Sequence, residues 1–538
     1  MPKRAGVIVG FFLLLALAAK PVWQGREQWH IGQGADDGVY WVTAKSLATD
    51  HGYRLLSLPG APYAVRYPPI YPAFLSIAWR VHPEFPASAR LAAIMQALLL
   101  PIVLALLLAV FRRFGFSWRR AFLVAAFVAV TLQVVVLTMT LFAELLCMCF
   151  LLAAVLAAER SVDVARAAGE EASRGQGAAA LWALTAGLLA ACAYLTRNAA
   201  LPILASAPLF FLIKKKPRLA GWFLLFPAPL AAAWHLWAFA HAGADPTNAS
   251  YLDQYFHIIG LSGIWTNIMK QLAVTSANVA ESVIPGIIGF LAGLPLYHVA
   301  LAAAISGGIR IGRRCGWPLY LIFSAFYCVM LLLWWSDLRI ERLIIPAWPM
   351  LVAGISEEAA HVATLFEKTM KRSAYWSAKS PVWETIPRWG IVAIAILMLF
   401  RNASITWGWA DTAMPYERRM RQDDEVAFTW IAHHREPGTV VVAWKDTISF
   451  LYTGVAASHG LFIAVTPQAP YLKTFATSFA ALPPEYSRGL LLLLRSDLGD
   501  DFTDKSLGPF KAAGESLAGS KLEFSSPGAL IYSFPIPR

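Results

Sequence analysis

Apolar stretches close to membrane-spanning length alternate with short charged connections through most of the first 410 residues. A bilayer crossing needs roughly 20 consecutive, mostly apolar residues. Segments 5–23, 88–111, 121–140, 141–158, 178–195, 199–213, 219–240, 283–306, 317–335, 342–357 and 389–409 fit that template and predict eleven transmembrane helices. Two connections are long. The first, 24–87, contains a helical stretch at 37–48 and, after Tyr67-Pro68-Pro69, a short amphipathic helix at 70–81 whose Tyr71, Phe74 and Trp79 suit a membrane interface. The second, 241–281, carries Tyr251, Asp253, Tyr255 and His257. Beyond residue 410 the pattern changes to a charged helix at 417–435 and strand-like runs at 439–444, 461–465, 490–494 and 529–534, with a helical stretch at 447–451. The expected architecture is an all-α polytopic membrane bundle over 1–410 followed by a small α/β domain over 411–538.

Composition supports the membrane class: 58% of the 538 residues are hydrophobic, 14% are charged, and mean hydropathy is +0.55. Lysine and arginine placement orients the bundle. Lys3-Arg4, Arg112-Arg113 with Arg119-Arg120, Lys214-Lys215-Lys216 with Arg218, and Arg310 with Arg313-Arg314 mark the cytoplasmic connections, which also include 159–176 and 358–388. The loop holding Asp36-Asp37, the turn at Glu144, Arg197, the 241–281 loop, the 339–342 region and the tail then lie outside. These inside loops and anionic lipid account for the net charge of +12, so nucleic acid is not implied. The first segment also has the layout of a cleavable signal peptide ending near Ala16-Leu17-Ala18-Ala19, but its apolar core is nearly long enough to span. Four of the five cysteines fall in predicted spans and Cys315 in an inside loop, which gives no disulfide framework and no zinc spacing.

The candidate chemistry sits on the outer side. Adjacent Asp36 and Asp37 are costly to hold near a membrane unless a cation, an arginine or a reacting proton engages them; a solvated acidic loop is the alternative. Tyr40 follows Asp36 by four residues and shares its helical face. Glu144 interrupts an apolar run between two spans, where a carboxylate faces a protein interior or marks a turn. Arg66, Arg197, Arg339 and Arg342 break the positive-inside bias, and a guanidinium matches phosphate geometry; pairing with Asp337, Glu341 or lipid is their simpler explanation. The sequence has no GxxxxGK[ST] loop and no dinucleotide fingerprint, so a substrate reached from outside must be exported or carried by lipid.

The order of these features is Asp36-Asp37-x-x-Tyr40, then Tyr67-Pro68-Pro69-x-Tyr71-Pro72, outer Glu144, Leu195-Thr196-Arg197, and Arg342-Leu-Ile-Ile-Pro346-x-x-Pro349. Over roughly 1–410 it resembles the GT-C membrane glycosyltransferases, in particular bacterial proteins similar to the dolichyl-phosphate-mannose protein mannosyltransferases and the lipid A aminoarabinose transferase; the tail has no counterpart in that resemblance. The resemblance implies a sugar donor on a polyprenyl phosphate, an extracytoplasmic acceptor, inversion at the anomeric carbon and no certain cofactor. It assigns Asp36 as general base and Asp37 as its companion, with Glu144 the next candidate. Arg197 and Arg342 match phosphate-binding arginines, and Arg66 and Arg339 join them as outer arginines. Some relatives carry lysine just before Pro-Pro, where this chain has Tyr67; Tyr67, Tyr40 and Tyr71 are then expected to contact substrate. A divalent ion on Asp36 or Asp37 is a further option. The alternative function is a polytopic transporter or lipid-linked-sugar flippase, for which repeat symmetry and helices broken at the midplane would be the mark. The tail is expected to recognise acceptor or shield the cavity mouth.

Overall fold

The computed structural model describes residues 4–26, 35–168, 173–242, 263–283, 297–333, 340–372, 382–458, 482–498, 515 and 519–536. Helices dominate: α1 (Arg4–Gly25), α2 (Ala35–Ala48), α3 (Ile70–Val81), α4 (Ala87–Ala97), α5 (Leu99–Arg113), α6 (Trp118–Val130), α7 (Leu132–Met139), α8 (Glu144–Ala167), α9 (Ser173–Thr196), α10 (Pro202–Ile213), α11 (Pro217–Leu224) and α12 (Pro227–Ala240). After these come α13 (Ile264–Val283), α14 (Tyr297–Cys315), α15 (Leu319–Leu332), α16 (Ile340–Leu343), α17 (Trp348–Arg372) and α18 (Val382–His433). The tail adds β1 (Thr439–Val442), α19 (Asp446–Thr453), β2 (Ala457–Ser458), β3 (Arg488–Leu494), α20 (Arg495–Leu498), β4 (Lys521–Ser526) and β5 (Ala529–Pro535).

Among the described residues, six helices are long and apolar enough to cross a membrane, or seven when the bent pair α6–α7 is taken as one span. The count of eleven is therefore not reproduced. α10 and α15, read as spans, are short apolar helices. The expected span at 283–306 separates into the end of α13 and the start of α14, with 284–296 outside the described residues. The expected loop at 241–281 includes most of α13; Tyr251, Asp253, Tyr255 and His257 lie outside the described residues, as does the strand-like run 461–465.

α6 and α7 meet at 62° around Thr131. A break in a membrane helix must return its freed backbone groups to partners. Thr406 Oγ1 donates to the Val130 carbonyl at 2.8 Å, and Trp348 Nε1 donates to Thr131 Oγ1 at 3.0 Å. α14 and α17 cross through glycine: a Cβ on Gly307 would lie 1.8 Å from the Gly354 carbonyl oxygen, so only a missing side chain allows this approach.

The basic connections read as one side gather at one end of the bundle. Arg113 pairs with Asp163 at 2.5 Å, Arg120 with Glu357 at 2.7 Å, Arg314 with Glu357 at 2.6 Å and Arg310 with Glu358 at 2.7 Å. At the other end, Lys20 and Gln24 of α1 each bond Asp411 of α18 at 2.7 Å. The Asp36 loop and the tail thus leave the bundle on the same side. Cysteine labelling at 365 and 440 is expected to report opposite sides of the membrane; labelling from one side only would contradict this arrangement.

The last apolar segment and the charged helix expected at 417–435 form one unbroken helix, α18, which passes residue 410 and enters the tail. There it meets a five-stranded mixed sheet ordered β2-β1-β3-β5-β4, with β1 parallel to β2 and β3, and β5 antiparallel to β3 and β4. The apolar run of β3 is buried on both faces. Leu490, Leu492 and Leu494 join Val441, Ile531 and the α18 residues Phe428 and Ile431 in the main core, whereas Leu491 and Leu493 pack with Val440, Tyr532 and Phe534 in a second one. Period-two alternation thus welds the tail to the bundle.

Candidate active site

The site forms where four separate stretches meet at the end of the bundle from which the tail leaves. α2 places Asp36 and Asp37 in its first turn, where a helix N-terminus favours negative charge. α8 begins at Glu144 for the same reason. α9 ends at Thr196, and Arg197 follows in extended conformation before a 3-10 turn at Asn198–Ala200. α16 carries Arg342.

Asp36 is the meeting point. Tyr67 Oη donates to its Oδ1 at 2.5 Å, and Arg342 Nη2 donates to its Oδ2 across 306 residues of sequence. Arg197 Nη1 lies 2.7 Å from Glu144 Oε1, and Arg342 Nε lies 3.6 Å from the same oxygen. The Glu144 side chain is 1% exposed, whereas those of Asp36 and Arg342 are 17% and 30% exposed. Glu144 therefore holds two arginines from behind, and Asp36 and Arg342 form the open side. Burial by itself would raise the Asp36 carboxyl; Arg342, the Tyr67 hydroxyl, Arg197 and Arg66 outweigh it, and the group lies below the ordinary aspartate range. Asp36 is thus ionised and held by cations.

Other side chains set these groups in place. Tyr40 packs between Tyr67, tilted at 4.9 Å between ring centroids, and Tyr71, edge to face at 5.0 Å. Tyr53 Oη donates to the carbonyls of Tyr67 and Pro68 at 2.9 and 3.2 Å, fixing the Tyr-Pro-Pro step. Tyr71 Oη donates to Gln96 Oε1 at 3.0 Å, and Gln96 Nε2 donates to the carbonyls of Leu137 and Phe142 at 2.8 Å each. Gln96 thereby pins the turn that leads into Glu144. Tyr40 and Tyr71, expected to contact substrate, are both buried, with their rings packed against each other. Tyr67, bonded directly to Asp36, is the one of the three at the carboxylate.

Asp37 is fully buried and its Oδ1 accepts from the Gly38 N–H at 2.8 Å, so the two aspartates do not act from one position. Arg66 is half-buried, its guanidinium 5.4 Å from the Tyr67 ring, and its carbonyl accepts weakly from Asn198 Nδ2 at 3.5 Å. Arg339 lies outside the described residues. Among the described residues, no three His, Cys, Asp or Glu side chains converge as metal ligands. Oδ1 and Oδ2 of Asp36 accept from Tyr67 and Arg342, so a divalent ion at Asp36 would compete with a hydroxyl and a guanidinium for them.

Gln96, Asn198 and Tyr53 are the participants that sequence reasoning missed. Gln96 carries a signal, as a lone amide inside the apolar 87–113 stretch, and such a group must find partners. Gln96→Leu is expected to leave the Tyr71 hydroxyl and two carbonyls without it and to cost about 1–2 kcal/mol of stability. Thermal unfolding in detergent checks this; an unchanged midpoint would show the turn is held by other contacts.

No protein-family model and no curated protein matches the sequence. Solved structures do. ArnT from Cupriavidus metallidurans in its apo state is similar over 99% of this chain and 98% of its own, with a TM-score of 0.53 and 13% identity. The same protein bound to undecaprenyl phosphate gives a TM-score of 0.51 at 14% identity, over 99% of this chain and 98% of its own. The Archaeoglobus fulgidus oligosaccharyltransferase tethered to an acceptor peptide gives 0.56 at 13% identity, over 99% of this chain and 76% of its own. At these identities the likeness is one of fold, and it extends through the tail for which the sequence offered no counterpart: the chain has the GT-C fold.

Proposed function

We propose that this protein is an integral membrane glycosyltransferase that moves a sugar from a polyprenyl-phosphate-linked donor to an acceptor on the outer side of the membrane, with inversion. The observation that carries the reading is the carboxylate of Asp36 held by Arg342 and Tyr67 beside the Glu144–Arg197 pair, at the end of the bundle where the tail emerges. Solved structures of the same fold bound to undecaprenyl phosphate and to a dolichol-phosphate support the donor class.

The donor phosphate enters between Arg342 and Arg197 and takes over the cation that Asp36 holds in its absence. Fork-shaped guanidinium groups suit the phosphate oxygens. Asp36, released from Arg342, regains basicity and accepts the proton of an acceptor hydroxyl. The acceptor oxygen forms its bond to the anomeric carbon as the bond from that carbon to the phosphate oxygen breaks. The bonding pair leaves with the polyprenyl phosphate, whose growing charge the arginines stabilise. Glu144 keeps both arginines aimed, Asp37 fixes the helix start, and Tyr67 steadies Asp36. The amino terminus is cytoplasmic, the tail is extracytoplasmic, and the membrane is the cell membrane.

Binding of polyprenyl phosphate to purified protein tests the reading. Native mass spectrometry is expected to show polyprenyl phosphate retained in preference to the corresponding polyprenol, with the preference reduced in Arg342→Ala. Equal retention of both lipids would remove the phosphate site.

A further inference from the structure

We infer that the tail helix α19 positions Asp36, with Thr447 as a positioning residue that acts through Gly38 of α2; the inference rests on the function proposed above. Gly38 lies two residues after Asp36. A Cβ built there would lie 2.0 Å from Thr447 Oγ1 and 2.8 Å from Thr447 Cβ. No side chain larger than hydrogen fits, so the start of α2 and the start of α19 are in direct van der Waals contact.

The contact is one of several along the same seam. Farther along α2, Lys45 Nζ sits 5.3 Å from the Trp79 ring of α3 and 5.2 Å from the Phe450 ring of α19. A cation between two ring faces joins the pieces that carry them. Phe85 meets Tyr452 edge to face at 4.7 Å, and the Ala457 N–H of β2 donates to the Ser57 carbonyl at 2.7 Å. α19 is in turn fixed to α18: Tyr452 stacks on Phe428 at 5.0 Å and its hydroxyl donates to Glu425 at 3.1 Å. α18 continues from there into the apolar bundle.

Gly38 and Lys45 tie the aspartate-bearing helix to α19, and Ser57 and Phe85 tie the segment that follows it to the tail. A general base works only within hydrogen-bond reach of the proton it takes, and a displacement near 1 Å can cost about 100-fold in rate. The arginines that meet phosphate lie outside α2 and α19. Disturbing the seam therefore separates transfer from donor binding, which general unfolding would not do. This assigns the tail a share in setting the base, beyond acceptor recognition or shielding.

The test uses four full-length proteins: wild type, Gly38→Ala, Thr447→Gly and the double variant. In Gly38→Ala, transfer at saturating donor is expected to fall roughly tenfold or more while polyprenyl-phosphate binding stays within about threefold. The double variant, which restores the space, is expected to recover transfer to within about threefold of Thr447→Gly. Phe450→Ala, which removes the ring against Lys45 without adding bulk, is the second probe and is expected to lower transfer at unchanged phosphate binding. Normal transfer in both Gly38→Ala and Phe450→Ala, or a loss in Gly38→Ala that the double variant does not recover, would overturn the inference. A wild-type protein that transfers no sugar from any polyprenyl-phosphate donor would overturn the proposed function instead, and the inference with it.

Discussion

Asp36→Asn is expected to lower sugar transfer by roughly 10²–10⁴, the range usual for losing a general base, while the fold and donor binding survive. The substitution keeps the volume and the hydrogen bond from Tyr67 Oη but removes the charge. The pairing with Arg342 makes a further expectation specific. Asp36 lies below the ordinary aspartate range because Arg342 leads the groups that outweigh its burial. A lowered pKa keeps the base ionised to lower pH, and activity is lost only as pH falls through that lowered value. The acid limb of kcat/KM, which reports the donor-free enzyme, should therefore lie lower than an isolated aspartate would place it, and Arg342→Ala should move it to higher pH. Single-turnover rates across pH at saturating acceptor check both. A near-normal rate for Asp36→Asn would move the base elsewhere, with Glu144, which lies behind two arginines, the next candidate.

Arg342→Ala carries the second large effect. Loss of a charge-assisted bond to phosphate costs about 1.5–3 kcal/mol, or roughly 10- to 100-fold in donor affinity. Turnover should fall as well, since the leaving phosphate loses a cation where charge develops. Arg342→Lys should recover only part of this, because lysine keeps the charge and loses the fork. Donor titrations with each variant measure it. Unchanged affinity and turnover in Arg342→Ala would reduce Arg342 to a structural partner of Asp36.

Much of the site was legible because its residues break local rules. Asp36, Glu144, Arg197 and Arg342 are charges at the outer ends of apolar segments, and consistent sidedness alone predicted that they share one region; the structure brings them into one network. The supports were less legible. Tyr71 and Trp79 read as interface aromatics, but an amphipathic pattern does not tell a buried ring from an exposed one, and both are buried. Element boundaries differ from the expected ones where hydropathy and helical continuity diverge. α18 stays helical past the end of its apolar stretch because alanine, methionine, glutamate and arginine continue to favour helix, so two expected elements are one. The opposite happens at Thr131, where an apolar run bends and Thr406, remote in sequence, takes up the freed Val130 carbonyl. In the tail, β1, β3 and β5 match expected strands by their apolar runs. β2 is only two residues long and β4 is largely polar, so neither gave a pattern. The Gly38–Thr447 contact had no local signal at all.

The most direct measurement is release of polyprenyl phosphate when purified wild-type protein is given polyprenyl-phosphate-linked sugars together with acceptor, run beside Asp36→Asn and Arg342→Ala. Release coupled one-to-one with sugar transfer is expected in the wild type, with release from bound donor nearly lost in Asp36→Asn and donor capture weakened in Arg342→Ala. Release by Asp36→Asn at the wild-type rate, or no release by the wild type from any donor of this class, would contradict it.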